Sequence, residues 1–244
     1  MDEKRFFDAY RYVTEADGQK SGIGTIGEKS LHKILKSYYE PRVEYHEIPF
    51  MGFVLDVKNE EGIIEVQTGS FTPLYPKLKK LLPYSEITVI CPIIAEKRLI
   101  WFDKETGELT EPKRSPKKGR YSDALSEISK ISDLLFDKNL TVRLVLLSAD
   151  EYKYLDGYGK DRKKRATKIE RIPRRIIEER DINQIEDLID ILPDLPESFT
   201  ASDFNKATGL RRRKAFFSLK LLLRLGIIEL FGKRGNAYLY RFVQ

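Results

Sequence analysis

Residues 56–71, DVKNEEGIIEVQTGSF, set two acids and an amide, Asp56, Glu65 and Gln67, among residues that favour strands. Asn59 to Gly62 has turn chemistry, so the stretch is expected to fold as a hairpin of strands 53–58 and 63–68. With residue 58 facing residue 63, a continued register sets Asp56 opposite Glu65 and Val54 opposite Gln67. Side chains alternate along a strand and cross-strand partners share a face, so the three polar groups converge. Leu55, Val57, Ile64 and Val66 turn the other way, toward a core. Like charges opposite one another on a hairpin repel unless something positive lies between them. Two readings stand. The acids keep the wet face of an edge hairpin soluble, or they hold a divalent cation such as Mg²⁺ or Mn²⁺, which is satisfied by few carboxylates and retained waters.

The flanking segments give this hairpin a context. A helix is expected over residues 3–15, a glycine-rich break at SGIGTIGEKS, and a second helix over 27–39. Strand-like runs follow near 43–57, 63–68 and 86–94, with a helix at 74–82 before the last, giving the order helix, strand, strand, strand, helix, strand. In the second helix Leu31, Ile34, Leu35 and Tyr38 form the apolar stripe, and Glu28 lies within its arc, one turn before Leu31 and His32. An acid on a buried face needs a partner, or else it serves the helix N-terminus. Further on, RLIWFDKETGELTE suggests a hairpin around Glu105, Thr106 and Gly107. YSDALSEISKISDLLF suggests an amphipathic helix and LTVRLVLLSA a buried strand, and Pro173, Pro193 and Pro196 mark a linker.

An inward glutamate on the first helix, an aspartate, then Glu-x-Gln on the next strand, followed by helix and strand, resembles the PD-(D/E)XK nuclease superfamily. The resemblance covers about residues 20–95. It implies an α/β fold, a restriction-endonuclease-like mixed sheet flanked by helices, in which Asp56 and Glu65 bind Mg²⁺ or Mn²⁺ and Glu28 supports the site. Leu55 stands where the family motif has proline, and Gln67 where it has lysine. An ammonium orients the attacking water and stabilises a crowded phosphate, whereas an amide carries no charge. Lys77, at the border of the stripe of Leu74, Leu78, Leu81 and Leu82, is the candidate substitute from the neighbouring helix.

From residue 182 the texture changes. INQIEDLIDIL and FTASDFNKATG suggest short helices, the second capped by Thr200 or Ser202 and ended by Gly209. LRRRKAFFSLKLLLRLG is a third helix, and IIELFGKRGNAYLYRF a hairpin with a basic tip. This order resembles a winged helix-turn-helix, so domains of 1–180 and 181–244 are expected, and the whole chain looks like a bacterial family that joins the two. On the third helix Ala215, Phe216, Leu219, Leu222 and Leu223 share the inward arc. Arg211, Arg212, Arg213, Lys220 and Arg224, with Lys233 and Arg234 on the tip, are the candidate contacts to double-stranded DNA. Phe217 and Leu221 also fall on the outer arc, which points to packing against the first domain or a second copy of the chain.

The 244 residues carry a net charge of +6 with 41% apolar content, enough for packed cores. Charge is unevenly spread. Residues 112–120, PKRSPKKGR, hold five basic residues and no acid; 209–234 hold eight basic and one acidic, and 181–208 seven acidic and one basic. Basic clusters that meet on one surface mark a binder of phosphate backbones. The absence of a long apolar run and of a signal-like N-terminus leads to the expectation of a soluble cytoplasmic protein without a membrane partner. The single Cys91 excludes an internal disulfide, and His32 and His46, the two histidines, are taken as structural. Function is expected to be metal-dependent DNA hydrolysis; a catalytically inactive DNA-binding regulator and a protein-interaction module are the alternatives.

Overall fold

Two runs, ITVICPII and LTVRLVLL, are apolar at nearly every position, the pattern of strands covered on both faces. They become the sheet's long central pair. The computed structural model describes residues 2–18, 30–103, 105–154 and 167–243. Strands β4 (Ile87–Phe102) and β6 (Leu140–Tyr154) run parallel along their whole length. The other edge of β4 is shared. Strand β3 (Gly62–Val66) runs parallel to its first half, and β5 (Lys113–Arg114) pairs antiparallel with its second half. Beyond β3 lie β2 (Phe53–Asn59) and β1 (His46–Phe50), both antiparallel, and β7 (Lys168–Ile182) closes the far side against β6.

Helices cover both faces. Helix α2 (Ser30–Tyr39) lays Leu31 and Leu35 on Val66, Ile90, Val145 and Leu147, and α1 (Glu3–Gly18) packs over α2 and β7 through Phe6, Ala9 and Val13. On the opposite face α3 (Leu74–Leu81) crosses from β3 to β4 and buries Leu74, Leu78 and Leu81 against Ile63, Val89 and Leu144. Helix α4 (Leu125–Ile128) shares that face, as do α5 (Ile185–Asp190), α6 (Ala201–Thr208) and α7 (Arg212–Arg224). A second sheet of order β8-β10-β9 is built from β8 (Ser198–Thr200), β9 (Ile228–Arg234) and β10 (Ala237–Phe242). The chain is thus an α/β protein with one large mixed sheet flanked by helices and a small second sheet. Among the described residues no helix is long and apolar enough to cross a membrane.

Local departures from expectation have local causes. The run 43–57 is broken by a two-residue turn at Met51 and Gly52, both with positive φ, which makes β1 and β2 a hairpin. Pro173 lies inside β7 instead of in a linker; β7 is an edge strand and its ladder shifts register there, so the missing N–H is tolerated. The segment 121–136 forms one short α-helical turn between 3-10 turns, where Ser129 Oγ donates to the Ser126 carbonyl and competes with regular helix bonding. Helix α6, in contrast, has the expected ends: Thr200 Oγ1 accepts from Asp203 N, Asp203 returns a bond to Thr200 N, and Gly209 closes the helix in the left-handed region.

Candidate active site where two strands part

The β2–β3 ladder begins as its turn requires, with Asn59 facing Gly62, Lys58 facing Ile63 and Val57 facing Ile64, and there it stops. Asp56 and Glu65 are not a laddered pair, and neither are Val54 and Gln67. Instead the Asp56 carboxylate enters the gap and accepts from Val66 N at 2.8 Å, while Glu65 Oε1 lies 3.3 Å from Asp56 N. Carboxylates replace the missing carbonyls. That exchange satisfies backbone donors that the divergence would otherwise orphan.

Each acid then meets a nitrogen partner from a different layer. His32 Nε2 on α2 lies 3.0 Å from Asp56 Oδ2, and Lys77 Nζ on α3 lies 2.5 Å from Glu65 Oε1. Lys77 also donates to the Val54 carbonyl at 2.8 Å, tying α3 to the end of β2. Glu65 is only 6% exposed. Burial pushes its carboxyl above the ordinary range and the Asp56 charge adds to the rise, against the pull of Lys77. Burial acts on Asp56 in the same sense, but the hydrogen bond and charge of His32, the Val66 N–H and the Lys77 charge outweigh it and hold the carboxyl low. Two neighbouring carboxyls are thus driven in opposite directions by their surroundings.

Gln67 is used differently. Its backbone N–H continues the pairing with β4 through the Ile90 carbonyl, and its side-chain nitrogen donates to the Ser70 carbonyl at 2.7 Å. The amide therefore shapes the loop after β3. Glu28 lies outside the described residues. His32, taken as structural from sequence, is the residue that sequence reasoning missed; its place beside Leu31, at the start of the apolar stripe of α2, was the available signal. His46 bonds the Glu40 carbonyl, a structural role. Among the described residues no group of three or more histidine, cysteine or carboxylate ligands forms. A divalent ion would thus rest on Asp56 and Glu65, with water filling its shell, which suits magnesium.

The C-terminal cations divide into two groups. Arg211, Arg212, Arg213 and Lys220 are exposed along α7, and Lys233 and Arg234 along the β9–β10 hairpin, where Lys233 lies over the Tyr238 ring and Arg234 reaches Asp203 at 3.8 Å. Arg224 instead donates to Ser132 Oγ at 2.8 Å, on the body of the large domain. The inward arc of α7 is also rotated from expectation. Leu221 is 1% exposed, within the core that α4 shares, while Phe216 is 61% exposed and meets Phe217 edge-on. A helix clamped between its own sheet and a second surface buries a wider arc than one amphipathic stripe provides.

No solved structure matches the chain. A protein of Treponema pallidum (strain Nichols), whose printed name is "Uncharacterized protein", is 32% identical over 222 residues, covering 90% of this chain and 87% of that one. The family described as "Domain of unknown function (DUF8091)" matches residues 29–183, and the chain belongs to that family.

Proposed function

We propose that the protein hydrolyses phosphodiester bonds in DNA, through a restriction-endonuclease-like core of the PD-(D/E)XK kind assisted by a winged-helix C-terminal domain. One observation carries the reading: Asp56, Glu65 and Lys77 meet where β2 and β3 part, at the start of the α3 crossover. The element order α2-β1-β2-β3-α3-β4, with β3 and β4 parallel, supports the fold, and the order β8-β10-β9 behind α6 and α7 supports the wing. Asp56 and Glu65 would hold Mg²⁺ or Mn²⁺, which when bound supplies a charge centre that polarises the phosphate and acidifies a water.

The chain's own groups do the rest. His32 keeps Asp56 ionised, and Lys77 brings to the site the positive charge that Gln67 lacks, available to a phosphate in its crowded state. Purified protein with Mn²⁺ or Mg²⁺ is expected to nick supercoiled plasmid. Glu65→Ala should abolish nicking without weakening DNA binding at low salt, and Lys77→Ala should slow it by roughly 10²-fold or more. Undiminished nicking by Glu65→Ala would sink the assignment. Gln67 at the lysine position favours a second reading, a non-catalytic DNA-binding regulator, which predicts salt-dependent binding and no cleavage with any divalent ion.

A further inference from the structure

The shared edge of β4 leaves a gap between its two partners. Pairing with the β3 side ends at Gln67 N to the Ile90 carbonyl, and pairing resumes at Gly119 N to Ile94 and Ser115 N to Lys97. A cleft of about 380 Å³ opens there, lined by Gln67 and Gly69 on one wall and by Lys97, Lys117, Arg171 and Lys214 elsewhere. A second hollow of about 490 Å³ shares Lys117, Asp123 and Lys214 with it and continues past Lys118 to Arg211, at the start of α7. The two hollows are one channel. It runs from the loop after β3, at Gln67 to Gly69, to the turn between α6 and α7.

One side of the channel is formed by residues 116–120 of the basic stretch, and it is built into place. Gly119 approaches the β4 backbone so closely that a Cβ would lie 2.5 Å from the Ile94 carbonyl oxygen, and Arg120 Nη1 donates to the Ala207 carbonyl at 2.9 Å. Lys117, Lys118, Arg211 and Lys214 make no ion pair among the described residues. At the inner end Lys97 and Arg171 share one carboxylate with Lys153, that of Glu151, among the described ion pairs. Of the two acids on the channel, Glu127 is engaged by Lys130 and by the Phe71 N–H, and Asp123 accepts from Arg120 N. Row upon row of cations in a furrow suits a regularly spaced polyanion.

We infer that this channel grips one strand of a nucleic acid by its phosphates, along a path from the start of α7 to the loop that follows β3, two residues beyond Glu65. The inference rests on the nuclease reading for what lies at its inner end, but not for the grip. Among the described residues the channel is lined with lysine and arginine and with no aromatic ring, so contact is to backbone and not to stacked bases. In duplex DNA the cations of this furrow would meet the phosphates of one of the two strands.

The test is fluorescence anisotropy of the full chain with a labelled 20-mer, single-stranded and duplex, in EDTA so that no cleavage intervenes. Lys117→Ala/Lys214→Ala is expected to weaken binding of both probes by about tenfold or more at low salt, and to make the slope of log affinity against log salt shallower by about 1.4 for the single strand. Arg174→Ala/Arg175→Ala, on the far side near α1, serves as the charge-matched control and should bind as wild type does. Circular dichroism confirms that both variants are folded. Wild-type affinity in the channel variant, equal losses in the control, a loss confined to the duplex, or no binding by the wild type would each overturn the inference. If the channel variant loses affinity and the wild type never cleaves, the hydrolytic reading fails and the grip stands.

Discussion

Glu65 and Asp56 show how position, more than residue type, decides what a carboxyl does. Both are largely buried, but one is flanked by an imidazole and a backbone donor, and the other by a neighbouring acid as well as a lysine. The linkage follows in sign. Glu65 binds its proton more tightly in the folded chain, so its contribution to stability is complete below the ordinary carboxylate range and is lost as pH rises through the raised value. Asp56 works in reverse, contributing above its unfolded value and losing that contribution as pH falls through the lowered one. Under the hydrolytic reading an ion would need the Glu65 carboxylate, so a proton would compete with it. Mn²⁺ affinity, measured by calorimetry or electron paramagnetic resonance, is expected to rise as pH rises through the raised Glu65 value, and Glu65→Gln should flatten that rise. The acids and Lys77 were legible from the sequence because strand alternation and a helical stripe place them. The insertion of Asp56 into the backbone gap was not, because a cross-strand register says nothing of where the ladder stops.

Helix α6 is the element in which sequence and structure agree most closely, since both of its ends depend on local chemistry alone. Thr200 and Asp203 satisfy each other's backbone N–H groups, and Gly209 takes the left-handed conformation that L side chains adopt at a cost. Thr200→Ala is expected to lower stability by about 1 kcal/mol, read from urea denaturation, with nicking and DNA affinity unchanged. On α7 the outcome is divided: Leu221 of the outer pair packs on the large domain, one of its two expected placements, whereas Phe216, expected on the inward arc, is exposed. Leu221 and Arg224 face the large domain through α4 and Ser132, contacts between residues some 90 positions apart that no window of sequence contains. The hairpin turn at Met51 and Gly52 was missed for a simpler reason: a methionine gives little turn signal, and the glycine beside it was the only cue.

Across the molecule, the apolar core beneath α3 and α4 continues without a break into Phe199, Phe204, Leu219 and Leu222. The large sheet and the C-terminal unit therefore share buried surface, and the expected boundary near residue 180 is not a flexible hinge in packing terms. Leu221→Asp would place an unpaired charge in that seam and is expected to cost at least about 3 kcal/mol. A calorimetric scan should show the whole chain, not the C-terminal unit alone, melting earlier. An independent lower transition for the C-terminal unit would show that the seam is not cooperative.

Lys77 closes the account of how this architecture can carry two acids at its centre. Its ammonium already sits on Glu65 and pins the end of β2 through the Val54 carbonyl. The scaffold thus brings its own counter-charge, and assembling the polypeptide is a separate event from loading an ion. Small domains whose ligand sets repel until a metal arrives lack that independence. Here the guest would find the doorway braced, and its arrival would release a lysine to face whatever phosphate follows.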